Sequence, residues 1–440
     1  MRYLPNTAID RREMLATIDV SSIDDLFSDI PAAILNRFEP LGIAARSELE
    51  TIGALERLAE RNRAHQNVCL LGGGVYDHYV PSIVSHVLSR SEFSTAYTPY
   101  QPEISQGTLI VMFEFQTLVC ELTGMEIANA SMYDGATALA EAVLMAERVN
   151  RRGTVAVPQA LFPNHRRVLE TYCWAAGVDV VELPYLANGR IDLDALPPSV
   201  SAVVVQSPNA FGVIESLEGI KGRIGDALLV TSVHPISLGL LAPPGAFGAD
   251  IVVGEGQPLG LAMGFGGPLL GLFATREAFL RQMPGRVSGR TVDVEGNVGY
   301  AMAAQTREQH IRRERATSNI CTNSALCALA ATVYLASVGA DGLRRVGELS
   351  VGKAHYLADR ITRLDGFDLL FDAPFFHEFT VRVPENSRDL HTRLLDAGFL
   401  VHDPEELRPL GIENALRFAV TEKRTREELD RVVDVLRGER

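Results

Sequence analysis

Seven residues, Tyr97-Thr98-Pro99-Tyr100-Gln101-Pro102-Glu103, put two phenols, a hydroxyl, an amide and a carboxylate on one stretch broken twice by proline. Phenols, amides and carboxylates orient polar substrates by hydrogen bonding, and a carboxylate also accepts protons. Two prolines deny the backbone regular pairing, so its polar groups must face water or line a site. The competing reading is a rigid X-Pro connector whose tyrosines fill gaps in a core. The density of polar groups favours a site, with Tyr97, Thr98, Tyr100, Gln101 and Glu103 as its candidate binding residues.

Three other stretches carry reactive side chains. Gly72-Gly73-Gly74 fits neither a dinucleotide nor a phosphate-loop spacing and reads as a turn where backbone approaches a neighbour closely. His78 has Asp77 beside it but no second ligand at metal-binding spacing, so it reads as a structural histidine. Arg307, Arg312, Arg313 and Arg315, followed by Thr317-Ser318-Asn319, could hold a carboxylate or an acidic partner surface. Equally, they could form a solvated helix end paired with Glu308 and Glu314.

These groups need a scaffold. The turn at 97–103 opens a long amphipathic helix, and Tyr133-Asp134-Gly135-Ala136-Thr137 starts a second one, with small residues and a hydroxyl at its N-terminus. Then come short β-branched runs at Thr154–Val157, Val178–Leu183, Ala202–Gln206, Ala227–Val233, Asp250–Val253 and Leu269–Ala274. Most are separated by helical or turn material such as Asn164–Ala176, which predicts a mostly parallel sheet with helices on both faces. Arg276–Gln282 and residues 298–338 are expected to be helical. A long helix over Asp341–Arg360 leads into a smaller α/β unit with strands at Phe376–Val383 and Leu416–Val420 and helices at Arg388–Ala397 and Arg424–Arg437. Upstream, Thr7 caps a helix over Ile9–Ile18, and Ser21 and Ser22 cap Ile23–Phe27. Pro5, Pro31 and Pro40 punctuate this arm, and residues 46–64 form a helix with Leu49, Ile52, Leu55 and Leu58 on one stripe. The expected domains are a helical arm (1–65) that wraps a partner subunit, a large domain (66–335) and a small one (336–440).

A formal net charge of −14 over 440 residues argues against nucleic acid or an anionic membrane as the main partner. The cations are three lysines (Lys221, Lys353, Lys423) against 38 arginines. Five cysteines form no CxxC pair and read as buried thiols of a reducing compartment. No stretch is expected to span a membrane, and the expected location is the cytoplasm.

The chain also resembles a known family. Residues 97–107 (YTPYQPEISQG), 116–142 (QTLVCELTGMEIANASMYDGATALAEA), 312–326 (RRERATSNICTNSAL) and the start RYLPNT are similar to the glycine dehydrogenase (decarboxylating) family, the P-protein of the glycine cleavage system. The resemblance spans nearly the whole chain. It implies fold type I, the aminotransferase-like fold of pyridoxal-phosphate (PLP) enzymes, in its α/β form: a large domain with a mostly parallel sheet plus a smaller C-terminal α/β domain. It places the turn at 97–103 at an active site formed with a lysine-bearing partner. The length and a missing lysine match the N-terminal-half subunit of the split enzyme. The implied partners are glycine dehydrogenase subunit 2, in a heterotetramer of two of each, the lipoylated H-protein and the other glycine cleavage proteins.

A working PLP site in this fold needs a Schiff-base lysine, an acid near the pyridine nitrogen and a phosphate cup at a helix N-terminus. Counted back from Gly266-Gly267-Pro268 as the catalytic half of the family runs, Gln257 stands at the lysine position, and an amide cannot form the aldimine. Lys221, Lys353 and Lys423 lie elsewhere and read as solvated surface charges. The strand Ala227–Val233 ends in His234 where an acid is usual; Asp226 opens that strand instead. The start at Asp134–Thr137 could cup an anion or simply be a capped helix. PLP is therefore expected on the partner subunit, not bound covalently here. A non-catalytic regulatory scaffold on a PLP fold is the alternative.

Overall fold

The structure, a computed structural model, describes residues 5–37, 39, 41–94, 97–264 and 266–438. Pro40 and residues 2–4 of the RYLPNT start lie outside the described residues.

The chain divides into two units, Met1–His65 and Gln66–Arg440. In the first, helix α1 (Ala8–Thr17) starts at the expected cap: the Thr7 hydroxyl accepts from the Asp10 amide, and the Asp10 carboxylate accepts from the Thr7 amide. Helix α2 (Glu48–Ala59) repeats the device with Ser47 and Glu50. Asp25 reverses part of the second expected cap, since its carboxylate accepts the Ser21 and Ser22 amides while the Ser22 hydroxyl accepts the Asp25 amide. Leu49, Ile52, Leu55 and Leu58 are all exposed.

In the second unit, β1 (Val68–Cys69) and α3 (Ser82–Leu88) precede α4 (Pro102–Thr123), which has Pro102 at its first position and Gly124 at its left-handed C-cap. The central sheet then forms from β2 (Ile127–Ala128), β3 (Thr154–Pro158), β4 (Asp179–Leu183), β5 (Ala202–Ser207), β6 (Leu228–Val233), β7 (Ile251–Glu255) and β8 (Gly271–Thr275), with α5 (Gly135–Asn150) and α6 (Pro163–Ala176) among its crossovers. Its order is β2-β8-β7-β6-β5-β3-β4, parallel from β7 through β4, with β8 antiparallel to both neighbours. Strands β5, β6 and β7 are buried along their whole length. Their Val, Ile and Leu side chains feed one core on each sheet face, each contributing about 1.5–3 kcal/mol by burial. The chain winds outward in both directions from β3, so the carboxyl ends of β5, β6 and β7 border the crevice where this architecture binds ligands.

Arg276–Gln282 and the first part of 298–338 are not helical as expected, whereas Gln309–Arg312 and the stretch from Ala325 onward are. Arg276–Gln282 holds only a short turn at Glu277–Phe279. Residues 287–303 form an antiparallel hairpin, β9 (Val287–Val292) with β10 (Val298–Ala303). Gln116 donates to the Ser288 carbonyl and accepts its amide, and Gln106 does the same at Tyr300, so helix α4 binds the hairpin as a further strand would. Past short helical turns between Gln305 and Arg315 comes α7 (Ala325–Ile361), merged across a break at Gly339, where φ is +62°. By length and composition α7 could cross a membrane, contrary to the sequence reading. Half of its apolar window is buried, as in a core helix.

A third core gathers the C-terminal elements: β11 (Asp368–Leu369), β12 (Glu378–Arg382), α8 (Ser387–Asp396), β13 (Phe399–Leu400), β14 (Ala415–Ala419) and α9 (Arg426–Arg437). The order β11-β12-β14 is antiparallel, and β13 pairs with β1.

Candidate functional site

At the carboxyl ends of β5, β6 and β7 the crevice is filled by the chain's own groups. Gln257, 1 % exposed, accepts the Tyr76 amide through Oε1 (2.9 Å) and donates through Nε2 to the Tyr76 and Leu261 carbonyls (3.1 and 2.7 Å). The amide that replaces the lysine is thus fully used as a backbone clamp. The start of α5 is also taken. Asp134 caps the Thr137 amide, and the Glu255 carboxylate accepts the Gly135 amide at 2.8 Å and the Gln257 and Leu270 amides at 2.9 Å each. Gly135 is needed for this contact, because a Cβ there would stand 2.8 Å from the Glu255 amide nitrogen. The expected anion cup therefore holds an internal carboxylate. Burial pushes Glu255 up to about 8, with the three backbone donors pulling against it.

The ring space is equally reduced. Tyr76 stacks on His234 at 4.5 Å between centroids, and the remaining cavity beside Phe162, His165, Ser232 and Glu255 has about 20 Å³. Tyr76 and His234 occupy its wall as a stacked pair, whereas PLP brings a substituted ring and a phosphate. With no lysine, no free anion cup and no ring-sized space, this chain does not fit PLP.

The turn at 97–103 is built differently. Its floor is Arg286, a residue the sequence reading did not single out, only 3 % exposed, one residue before β9. One terminal nitrogen donates to Thr98 Oγ1 and Thr322 Oγ1 (3.0 Å each), and the other donates to Tyr100 Oη (3.2 Å). The guanidinium also lies 5.4 Å from the Tyr100 ring centroid, and its Nε is 3.8 Å from Glu308 Oε2. Above that floor Tyr97 is 81 % and Tyr100 47 % exposed, and Gln101 and Glu103 are exposed as well. Gln101 is the N-cap residue of α4 without a side-chain cap bond, and Glu103 sits in its first turn, where the helix dipole favours an anion. Thr98 and Tyr100 are thus gathered on Arg286, while Tyr97, Gln101 and Glu103 point outward without joining them. Because 298–303 was read as helical, the hairpin that brings Arg286 here was not anticipated. The turn-forming Glu295-Gly296-Asn297 between two β-branched runs was the available signal.

The arginine-rich segment separates into two roles. Arg307 is a buried strut that donates to the Met283, Gly285 and Ala304 carbonyls. Arg312, Arg313 and Arg315 are exposed, next to His310, whose ring meets Tyr100 edge-on at 5.8 Å. Ser318 donates to Glu141 Oε1 at 2.8 Å. None of the lysines is a free surface charge: Lys221 pairs with Asp250 (2.6 Å), Lys423 pairs with Asp77 (2.6 Å), and Lys353 donates to the Glu422 carbonyl. Cys321 is exposed, against the expectation that all five thiols are buried.

Sheet order, crossovers and a crevice ending in Gln257 define a fold-type I, PLP-enzyme-type chain. The cysteine desulfurase of Thermococcus onnurineus NA1 shares that fold at 16 % identity, with a TM-score of 0.62 over 85 % of this chain and 94 % of the other. The family model described as "Glycine cleavage system P-protein" matches residues 1–436. The probable glycine dehydrogenase (decarboxylating) subunit 1 of Carboxydothermus hydrogenoformans is 50 % identical over the full length of both chains. Its counterpart from Thermotoga maritima is 48 % identical over 99 % of each. A crystal structure of glycine decarboxylase (P-protein) of the glycine cleavage system, in inhibitor-bound form, superposes over 100 % of both chains with a TM-score of 0.90 at 44 % identity. The chain belongs to the glycine cleavage system P-protein family.

Proposed function

We propose that this chain is subunit 1 of glycine decarboxylase, a half-enzyme that completes an active site whose PLP lysine stands on a second subunit. The observation that carries this reading is a contrast within one chain. The crevice that would hold a cofactor is filled by Gln257, Glu255 and Tyr76, whereas the turn at 97–103 displays unpaired polar groups over a buried arginine.

In this reading PLP on subunit 2 supplies the electron sink for loss of CO2 from glycine, and the aminomethyl group passes to the lipoyl arm of H-protein. Subunit 1 contributes shape and polarity. Tyr97 and Tyr100 wall the substrate pocket, and the Tyr100 hydroxyl, held by Arg286, presents an oriented polar group. Gln101 and Glu103 reach towards substrate or partner. Arg312, Arg313 and Arg315 beside the turn suit an acidic partner surface. The assembly is a heterotetramer in the cytoplasm, organised as arm (1–65), large domain (66–335) and small domain (336–440), with the arm wrapping the partner.

The test is glycine-dependent CO2 exchange with PLP and lipoylated H-protein, measured for this chain, for subunit 2 and for the mixture. Activity confined to the mixture is expected. Full activity of subunit 2 alone, unchanged on mixing, would move the reading to a regulatory scaffold, and activity of this chain alone would overturn it.

A further inference from the structure

Three histidines without a part in that scheme meet below the closed crevice: His78, His234 after β6 and His377 before β12. All three are buried, and one nitrogen of each lies within 4.8 Å of the other two. His234 Nε2 and His377 Nε2 face each other at 3.1 Å. His78 Nδ1 is 2.6 Å from Glu422 Oε2, which keeps its proton on Nδ1 and leaves Nε2 as a lone pair without a partner. His377 Nδ1 has no partner either. Tyr76 stacks on His234, and Phe376 packs against His377 at 4.7 Å, so no solvent face remains to satisfy these nitrogens. Buried polar atoms are almost always paired, so the unpartnered His78 Nε2, in a cluster whose ligand atoms lie within 4.8 Å of one another, calls for a ligand.

We propose that His78, His234 and His377 bind one divalent cation of the zinc class, clamping the 76–79 loop to the end of β6 and the start of β12. Three imidazoles and no direct carboxylate suit Zn2+, Co2+ or Ni2+ and reject Mg2+ and Ca2+, which demand oxygen. Zn–N bonds of about 2.0–2.1 Å set a tetrahedral N···N edge of roughly 3.3 Å, close to the His234–His377 separation. The ligand atom of His78 lies within 4.8 Å of the other two, so it closes on the ion from the third side. Glu422 supplies the carboxylate–histidine–metal arrangement that fixes a ligand's tautomer. The protons balance without net release. His78 and His377 already carry theirs on Nδ1. The His234 proton shifts from Nε2 to Nδ1, giving up the long 3.3 Å bond from the Ile236 amide.

The experiment is titration of the full-length, chelator-treated chain with Zn2+, Co2+ and Mg2+ in turn. One tightly held equivalent of Zn2+, no Mg2+ and the intense visible absorption of tetrahedral Co2+ are expected. His78→Gln and His377→Gln should lose that equivalent, and Glu422→Gln should weaken it about 10–100-fold. Absence of stoichiometric binding, a weak octahedral Co2+ spectrum or Zn2+ binding untouched by His78→Gln overturns the site. If a histidine variant does not fold, the wild-type Co2+ spectrum and its displacement by Zn2+ decide the question.

Discussion

The internal carboxylate at the start of α5 makes stability depend on pH in a calculable direction. Burial raises Glu255 to about 8 and Glu215 to about 7. For an acid whose folded value lies above its unfolded one, the folded chain holds the proton more tightly, so its contribution is full below the unfolded value. It is then lost as pH rises through the folded value. Below pH 6.5 a second group of residues acts in the opposite sense. Burial drives His165 down to about 4 and lowers His234, His377 and His402, so their contribution is present above the unfolded histidine value and lost on acidification. Above that value Glu255 and Glu215, the two most strongly raised carboxyls, dominate the change until the thiols begin to ionise. From pH 6.5 to 8.5, about 1.4 kcal/mol per unit gives a loss of about 2 kcal/mol from Glu255 and somewhat under 1 from Glu215. Urea unfolding of the isolated chain should therefore show greatest stability near pH 6.5 and a fall of roughly 2–3 kcal/mol by pH 8.5. Glu255→Gln should be less stable at pH 6.5, because its amide nitrogen cannot accept the Gly135 amide, and should lose most of the alkaline slope. A wild-type stability that stays flat or rises across this interval would refute the reasoning. The three backbone donors would then have outweighed burial, leaving Glu255 ionised throughout.

Three further outcomes test the closed crevice and the displayed turn. Gln257→Lys should not restore PLP binding, because the ring space is still closed by Tyr76 and His234; borohydride trapping of an aldimine on the purified chain would contradict this. Tyr100→Phe removes an acceptor from Arg286 at a half-exposed position, costing about 1 kcal/mol of stability or less, yet should impair glycine–CO2 exchange in the assembled enzyme. Unchanged turnover would end its polar role. Arg286→Met leaves Glu308 without its nearest buried cation and frees Thr98 and Tyr100, so about 3–5 kcal/mol should be lost in denaturant unfolding. Glu308→Leu added to it should recover part of that loss, as a double-mutant cycle can measure.

Much of this was legible in the sequence for a simple reason. Strands β3 and β5 to β8 are largely apolar runs buried on both faces, and such runs announce themselves without alternation, while β4, with Asp179 and Glu182 exposed, was read from its Val-Val centre. The capped starts of α1 and α2 were equally readable, because a capping box is local. The hairpin at 287–303 was not read, since Gly289 and Arg290 interrupt one strand and Gly299 the other. Its partner is helix α4, reached through Gln106 and Gln116, and neither glutamine carries a signal by itself. Arg286 was missed for the same reason: its three hydroxyl partners come from residues 98, 100 and 322, which only the fold brings together. His78 was read as satisfied because sequence spacing shows neighbours along the chain, while His234 and His377 arrive from other elements.

The loss of the lysine could be read from one position, but how the crevice adapted to that loss could not. An abandoned cofactor site would leave backbone donors at a helix start, a polar side chain without a partner and an open ring-sized void, each costing on the order of 1–3 kcal/mol or more. Here Glu255 takes the donors, Gln257 bridges two carbonyls and an amide, and Tyr76 with His234 fills the space of a ring. The crevice is thus closed by the chain's own groups, so folding does not wait on a cofactor. In the turn at 97–103, Thr98 and Tyr100 satisfy Arg286, whereas the side chains of Tyr97, Gln101 and Glu103 face outward without such a use. A purely structural connector would be served as well by other residues at those three positions, yet an exposed phenol, an amide and a carboxylate stand there. Exposed polar groups with no use inside the chain are what the proposed half-enzyme would present to a neighbouring catalytic subunit.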